Sequence, residues 1–202
     1  MTDLPHFALN QAVPLPAPSP AVLKALATRR SAPAQALTAP GPSDSQIDAI
    51  LQLGARTPDH GKLFPWRFVV LGPVTRAEIA EKLSALAETR DKPAKDQAVL
   101  AKLTAAPVTV LVVSAPVPDA KPIWEQQLSA GAICMNLEHA AGAFGFSSSW
   151  ITDWYSYDPE AVALFGLTEG ETVAGFIHIG TLNEPALERP RPDMAAKVTR
   201  LP

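Results

Sequence analysis

Cysteine is nearly absent: Cys134 is the only one in 202 residues, and it sits inside an apolar run. One thiol builds neither a disulfide framework nor a cysteine-rich zinc site, so a reducing compartment is expected. An excess of one charge is also lacking. Seventeen Lys and Arg stand against twenty Asp and Glu, for a net charge of −3, and the basic residues are scattered. Nucleic-acid binders concentrate Lys and Arg into a stripe, so no polyanionic partner is expected. No long uninterrupted hydrophobic run occurs either. The richest segment, Leu128 to Trp150, is broken by Asn136, Glu138 and His139 and loaded with Gly and Ala, which argues against a membrane span. No Lys or Arg precedes Lys24, so no secretion signal is read and a cytoplasmic location is expected.

The motifs of several large enzyme classes are missing as well. There is no Gly-x-Gly-x-x-Gly and no Walker-type loop, so ordinary dinucleotide and nucleoside-triphosphate folds lose support. A His-Glu-x-x-His helix, paired Cys-x-x-Cys motifs and a Gly-x-Ser-x-Gly elbow are absent too, which argues against metal hydrolysis and serine nucleophilic catalysis.

What is present reads as a folded chain of 47% apolar residues, long enough to bury a stable core. Residues 1–20 hold Pro5, Pro14, Pro16, Pro18 and Pro20 and read as an extension without regular helix; residues 21–202 read as one domain. Apolar spacing predicts helices over Pro20–Arg30, from Ser43 or Ser45 to about Gly54, over Thr75–Thr89, through Val99, Leu100 and Leu103, over Trp124–Gly145, and over Asp158–Phe165. Strands are predicted over Arg67–Leu71, Val108–Val113 and Val173–Gly180, the second of them central and buried. Helices and strands mix without strict βαβ alternation.

The residues that suggest chemistry are Arg29-Arg30-Ser31 after the first helix, then Arg56-Thr57-Pro58-Asp59-His60, Pro65-Trp66-Arg67-Phe68, Gly180-Thr181, and Arg189 and Arg191 near the end. Their order and spacing over about residues 21–193 resemble the nitroreductase-type flavoprotein family, in a short-chain branch carrying Pro-Asp-His before Pro-Trp. Against the commoner family pattern Pro-Ser-x-x-Asn-x-Gln-Pro-Trp, this chain has Lys62 for the Asn and Phe64 for the Gln.

The resemblance implies an α+β fold with a central mixed, mainly antiparallel sheet flanked by helices, in a homodimer with an exchanged C-terminal segment. It implies an FMN-dependent oxidoreductase: NADPH or NADH gives hydride to the flavin, and a nitroaromatic, quinone or similar small acceptor takes the electrons by a ping-pong mechanism. No side chain need act as nucleophile. On this reading Arg29 and Ser31 hold the phosphate with Arg189 or Arg191. Arg30, Arg56 and His60 lie near the ribityl chain or the polar ring edge, and Trp150-Ile151-Thr152 pass along the flavin from the neighbouring subunit. The residue types suit that task, because forked guanidinium donors and a hydroxyl match a phosphate.

Each feature also has a plainer reading. Two arginines at a helix C-terminus complement the helix dipole, Trp66 and Trp124 serve as core or interface fillers, and His139 and His178 read as satisfied core groups. Phe64, Trp150 and Trp154 suggest an aromatic slot. A non-enzymatic flavin or small-ligand binder, or a dehydrogenase or dehalogenase on the same scaffold, stays open.

Overall fold

A computed structural model describes residues 4–202; of the expected extension, residues 1–3 lie outside the described residues. The elements run α1 (Pro20–Thr28), β1 (Leu37–Thr38), α2 (Asp44–Gly54), β2 (Trp66–Leu71), α3 (Pro73–Thr89), α4 (Ala94–Ala98), α5 (Ala101–Ala105), β3 (Val108–Ser114), α6 (Ile123–Ala143), β4 (Ser147–Ile151), α7 (Pro159–Leu164) and β5 (Thr172–Leu182). Residues 4–19 form neither helix nor strand.

Local chemistry sets the ends. Ser19 caps α1, with Pro20 in the first turn, where a missing N–H costs nothing. Ser43, of the two serines considered, caps α2 through a reciprocal box with Gln46. Pro73 opens α3 two residues earlier than expected, for the same reason as Pro20. The helix expected through Val99, Leu100 and Leu103 is two short ones. Between them Leu100, Lys102 and Leu103 donate to carbonyls three residues back, and the tighter winding interrupts the helix.

The sheet is antiparallel in every pairing, in the order β1–β5–β3–β2, with β4 also pairing with β5. Strand alternation splits the core in two. Val110, Val112, Ile177 and Ile179 face α2 and α6, where Ile50, Ile133 and Leu137 are buried. Leu111, Val113 and Phe176 face α3, α5 and α7, against Ile79, Leu83, Leu103, Tyr155 and Phe165. Coverage on both faces explains why β3 is apolar throughout. Two strands escaped prediction: β1 is two residues long, and β4 opens on three serines that lack the β-branched signal. Among the described residues, no helix is long and apolar enough to cross a membrane.

Candidate functional site

The chain leaves α1 at Arg29, whose backbone is extended (φ −59°, ψ 128°). Three residues on, the Ala32 N–H donates to the Ser148 carbonyl at 2.9 Å, docking the Arg-Arg-Ser segment on β4. Arg29 Nη1 then donates to Ser31 Oγ and to Glu138 Oε2, both at 3.3 Å. Glu138 is a buried carboxylate on α6 that also accepts from Ser148 Oγ at 3.4 Å. Burial raises its pKa; the Arg29 guanidinium and the Ser148 hydroxyl pull the other way.

Beside this cluster lies a cavity of about 1000 Å³. Its polar lining includes Arg29, Arg30, Asn136, His139 and Ser148 together with the acids Glu138 and Glu184, and Val22, Leu26, Leu53 and Phe146 form apolar walls; the run from Leu182 to Ala186 closes one side. The C-terminal tail is held against it: Arg30 Nε donates to the Leu187 carbonyl at 2.9 Å. Glu188 stands 3.8 Å from Arg30 and 2.9 Å from Arg191, so Arg191 belongs to this charge cluster. Arg189 is exposed, and its backbone N–H donates to the Glu188 side chain.

The second group of sequence candidates lies elsewhere. The loop after α2 runs along α6: Asn136 Nδ2 donates to Thr57 Oγ1, Ser129 Oγ to the Pro58 carbonyl, and His60 Nδ1 meets Glu125 Oε2 at 2.6 Å. Positions 125 and 138 are thirteen apart, so His60 and Arg29 are anchored about 20 Å from each other along α6. Arg56 is exposed and, among the described residues, has no side-chain partner. Asp59 accepts the Phe64 N–H at 2.8 Å, closing a tight loop with positive φ at Gly61 (98°), Lys62 (59°) and Phe64 (50°). Asn tolerates that left-handed conformation better than Lys, so the replacement at position 62 carries backbone strain here.

Residues 26–181 match the Nitroreductase family. The chain belongs to that family. It is 34% identical over 161 residues to YdjA of Escherichia coli K12, named provisionally as an NAD(P)H nitroreductase, covering 79% of this chain and 87% of that protein. Its fold resembles the crystal structure of a nitroreductase-like family protein from Bacillus cereus (TM-score 0.78, 19% identity, 94% of this chain and 99% of the other). It also resembles a nitroreductase with bound FMN from Bacteroides fragilis (TM-score 0.69, 23% identity, 91% and 100%).

Within a single chain of this nitroreductase family the expected aromatic slot does not form. Trp154 packs on Tyr155 on the α3 side of the sheet, donates to the Asp96 carbonyl and lies under Lys92. Phe64 sits by Trp66 at the β2 end, while Trp150 is on β4, three strand spacings or about 14 Å across the sheet and further along it. His139 is half-buried and lines the cavity, so it is not a core group. His178 is in the core but only half satisfied: Nδ1 meets Thr109 Oγ1 and Nε2 has no partner. Trp66 packs partly buried against the α6-side core, and its indole N–H donates to Ser129. Trp124 is 62% exposed. Ile151 and Thr152 end β4 half-buried, with Thr152 Oγ1 2.8 Å from the Tyr157 hydroxyl. Sequence reasoning missed Glu138, Asn136 and Ser148; an acid within the apolar run Leu128 to Trp150 was the one available signal.

Proposed function

We propose that the chain is an FMN-dependent NAD(P)H oxidoreductase that works as a homodimer and reduces a small acceptor such as a nitroaromatic or quinone. The observation that carries this reading is the state of Arg29. Its Nη1 is committed to Ser31 and Glu138, while among the described residues Nε and Nη2 have no partner, at the mouth of a cavity of about 1000 Å³. That free edge is the one a guanidinium uses to grip two oxygens of a phosphate. The donor set therefore fits FMN, and the FMN and NAD(P)H in the names of related proteins agree with it.

The chemistry FMN supplies when bound is hydride transfer, in from the nicotinamide and out to the acceptor through one pocket. This chain's residues bind and tune. Arg29 and Ser31 hold the phosphate, joined by Arg191, which the tail brings near, or by Arg189. Arg30 reaches the ribityl chain. Arg56 and His60 serve the polar ring edge, where fixed donors raise electron affinity. Because His60 stands at the far end of α6, a twofold pairing with antiparallel α6 helices sets the partner's His60 over this chain's Arg29 end. The exposed Ile123, Trp124 and Leu128 on α6 and Val22, Leu23 and Leu26 on α1 give such a pairing apolar surface to bury. The tail beyond Arg191 is exposed throughout and crosses to the partner in this reading.

Purified protein tests this directly. It should be yellow with bound FMN, bleach anaerobically with NADPH or NADH, regain colour with a nitroaromatic or quinone, and give parallel double-reciprocal plots. A colourless protein that cannot be reconstituted with FMN overturns the reading. A flavin that neither nicotinamide reduces leaves a binding protein.

A further inference from the structure

Ala174 stands outside the β3–β5 ladder. Val112 lies opposite Gly175 and Val113 opposite Val173, so Ala174 is the extra residue of a bulge. Its carbonyl is used elsewhere: the indole Nε1 of Trp150 donates to it at 3.1 Å. To reach that acceptor from β4, where Trp150 lies opposite Ile177, the indole must cross β5 over Gly175. A Cβ at Gly175 would overlap both Nε1 and Cδ1 of the indole. Gly175 has no positive φ, so what it provides is room for the ring. At the ring's other end, Cη2 would lie 3.9 Å from a Cβ at Gly131 of α6, an ordinary contact.

The strand that carries Trp150 is itself tied to the cation cluster at Ser148, whose carbonyl accepts from the Ala32 N–H and whose hydroxyl donates to Glu138, the carboxylate that also holds Arg29. One strand, β4, thus joins the bulge to the cation cluster at the cavity. We propose that Gly175 and the Ala174 bulge form a positioning device: acting through the Trp150 indole, they fix the Trp150–Thr152 segment against the flavin whose phosphate Arg29 of the same chain holds, rather than against the neighbouring subunit's, because the Arg-Arg-Ser segment docks on the same strand. This rests on the FMN reading above. Gly175 is a positioning residue that does not itself touch cofactor. The bulge, the missing Cβ and the redirected carbonyl serve one ring.

Two variants test it, read by flavin spectrum and affinity. G175A should displace the indole, shift the visible absorption band and redox midpoint of bound FMN, and raise the FMN Kd about tenfold. W150A should shift the band likewise, and G175A added to W150A should change nothing further, because no ring is left to displace. If G175A fails to fold, W150F carries the test, since it relieves crowding and removes the indole N–H; it too should shift the band and midpoint. Wild-type band, midpoint and Kd in G175A, or in W150F where that variant stands in, overturn this proposal alone. So does an equal further shift from G175A in the W150A background. A wild-type chain that takes up no FMN overturns it together with the proposed function.

Discussion

Arg29 and Glu138, 109 positions apart in sequence, form an ion pair at 3.3 Å in which the acid is buried and the base reaches the cavity. The carboxylate is therefore a fixed support and the guanidinium a presented one. Removing the base leaves a buried charge without its partner. Arg29→Ala should weaken FMN binding by about one to two decades, the loss of a charge-assisted hydrogen bond of roughly 1.5 to 3 kcal/mol. It should also destabilise the flavin-free protein by about 1 to 3 kcal/mol through the stranded carboxylate. Adding Glu138→Gln should restore most of that stability without restoring affinity. Fluorescence titration and urea unfolding separate the two effects, and affinity unchanged in Arg29→Ala would move the phosphate elsewhere.

Leu128 is 58% exposed on the same helix whose inner face is fully buried. If that outer face pairs with a second copy, Leu128→Glu places like charges and desolvated carboxylates in the interface. Sedimentation of wild type should give twice the 21.4 kDa chain mass, and the variant should move toward the monomer and lose FMN with it. A wild-type monomer that retains FMN contradicts the shared site.

How far the sequence could be read follows the range of each interaction. Helix ends were legible within a few residues because Ser19, Ser43 and Asp158 act on neighbouring N–H groups. β3 was legible because its apolar, β-branched run is its own signal. β4 was not, since Ser147–Ser149 form a strand only by pairing with β5. At the site, the Arg-Arg-Ser motif led to residues that do line the cavity, but the acid beneath them was out of reach across 109 positions. Trp154 was misplaced for the same reason: its partners Asp96 and Lys92 are distant in sequence and put it on the opposite face of the sheet.

Arg76 is buried without any carboxylate. Its guanidinium donates to the carbonyls of Leu103, Ala106 and Pro107 and to Thr109 Oγ1, gathering the chain end that leads from α5 into β3. Burial lowers its pKa. Arg76→Met fills the space but leaves three carbonyls unpaired, so it should cost about 3 to 5 kcal/mol in urea unfolding. A loss below 1 kcal/mol would mean that water replaces the guanidinium.

His178 extends that network and gives the fold a measurable acid sensitivity. Thr109 Oγ1 accepts from Arg76 Nη1 at 3.2 Å and lies 2.9 Å from His178 Nδ1, while among the described residues Nε2 has no partner, so the ring is buried with no acid to offset a charge. Charging the ring would set a second buried cation near Arg76 and Lys102, and burial with that repulsion holds its pKa down at about 4. An unfolded histidine titrates near 6.5. The unfolded chain thus binds the proton first, and stability present above pH 6.5 is lost as pH falls toward 4. Between pH 7.5 and 4.5 this amounts to roughly 2 to 3 kcal/mol. Glu171, held down to about 2 by its paired bonds to Arg67, adds its own loss mainly below pH 4.5, so the two windows separate. Urea midpoints of wild type and His178→Gln at pH 7.5, 5.5 and 4.5 should show the wild-type decline flattened in the variant. Equal slopes in both would place the acid-labile group elsewhere.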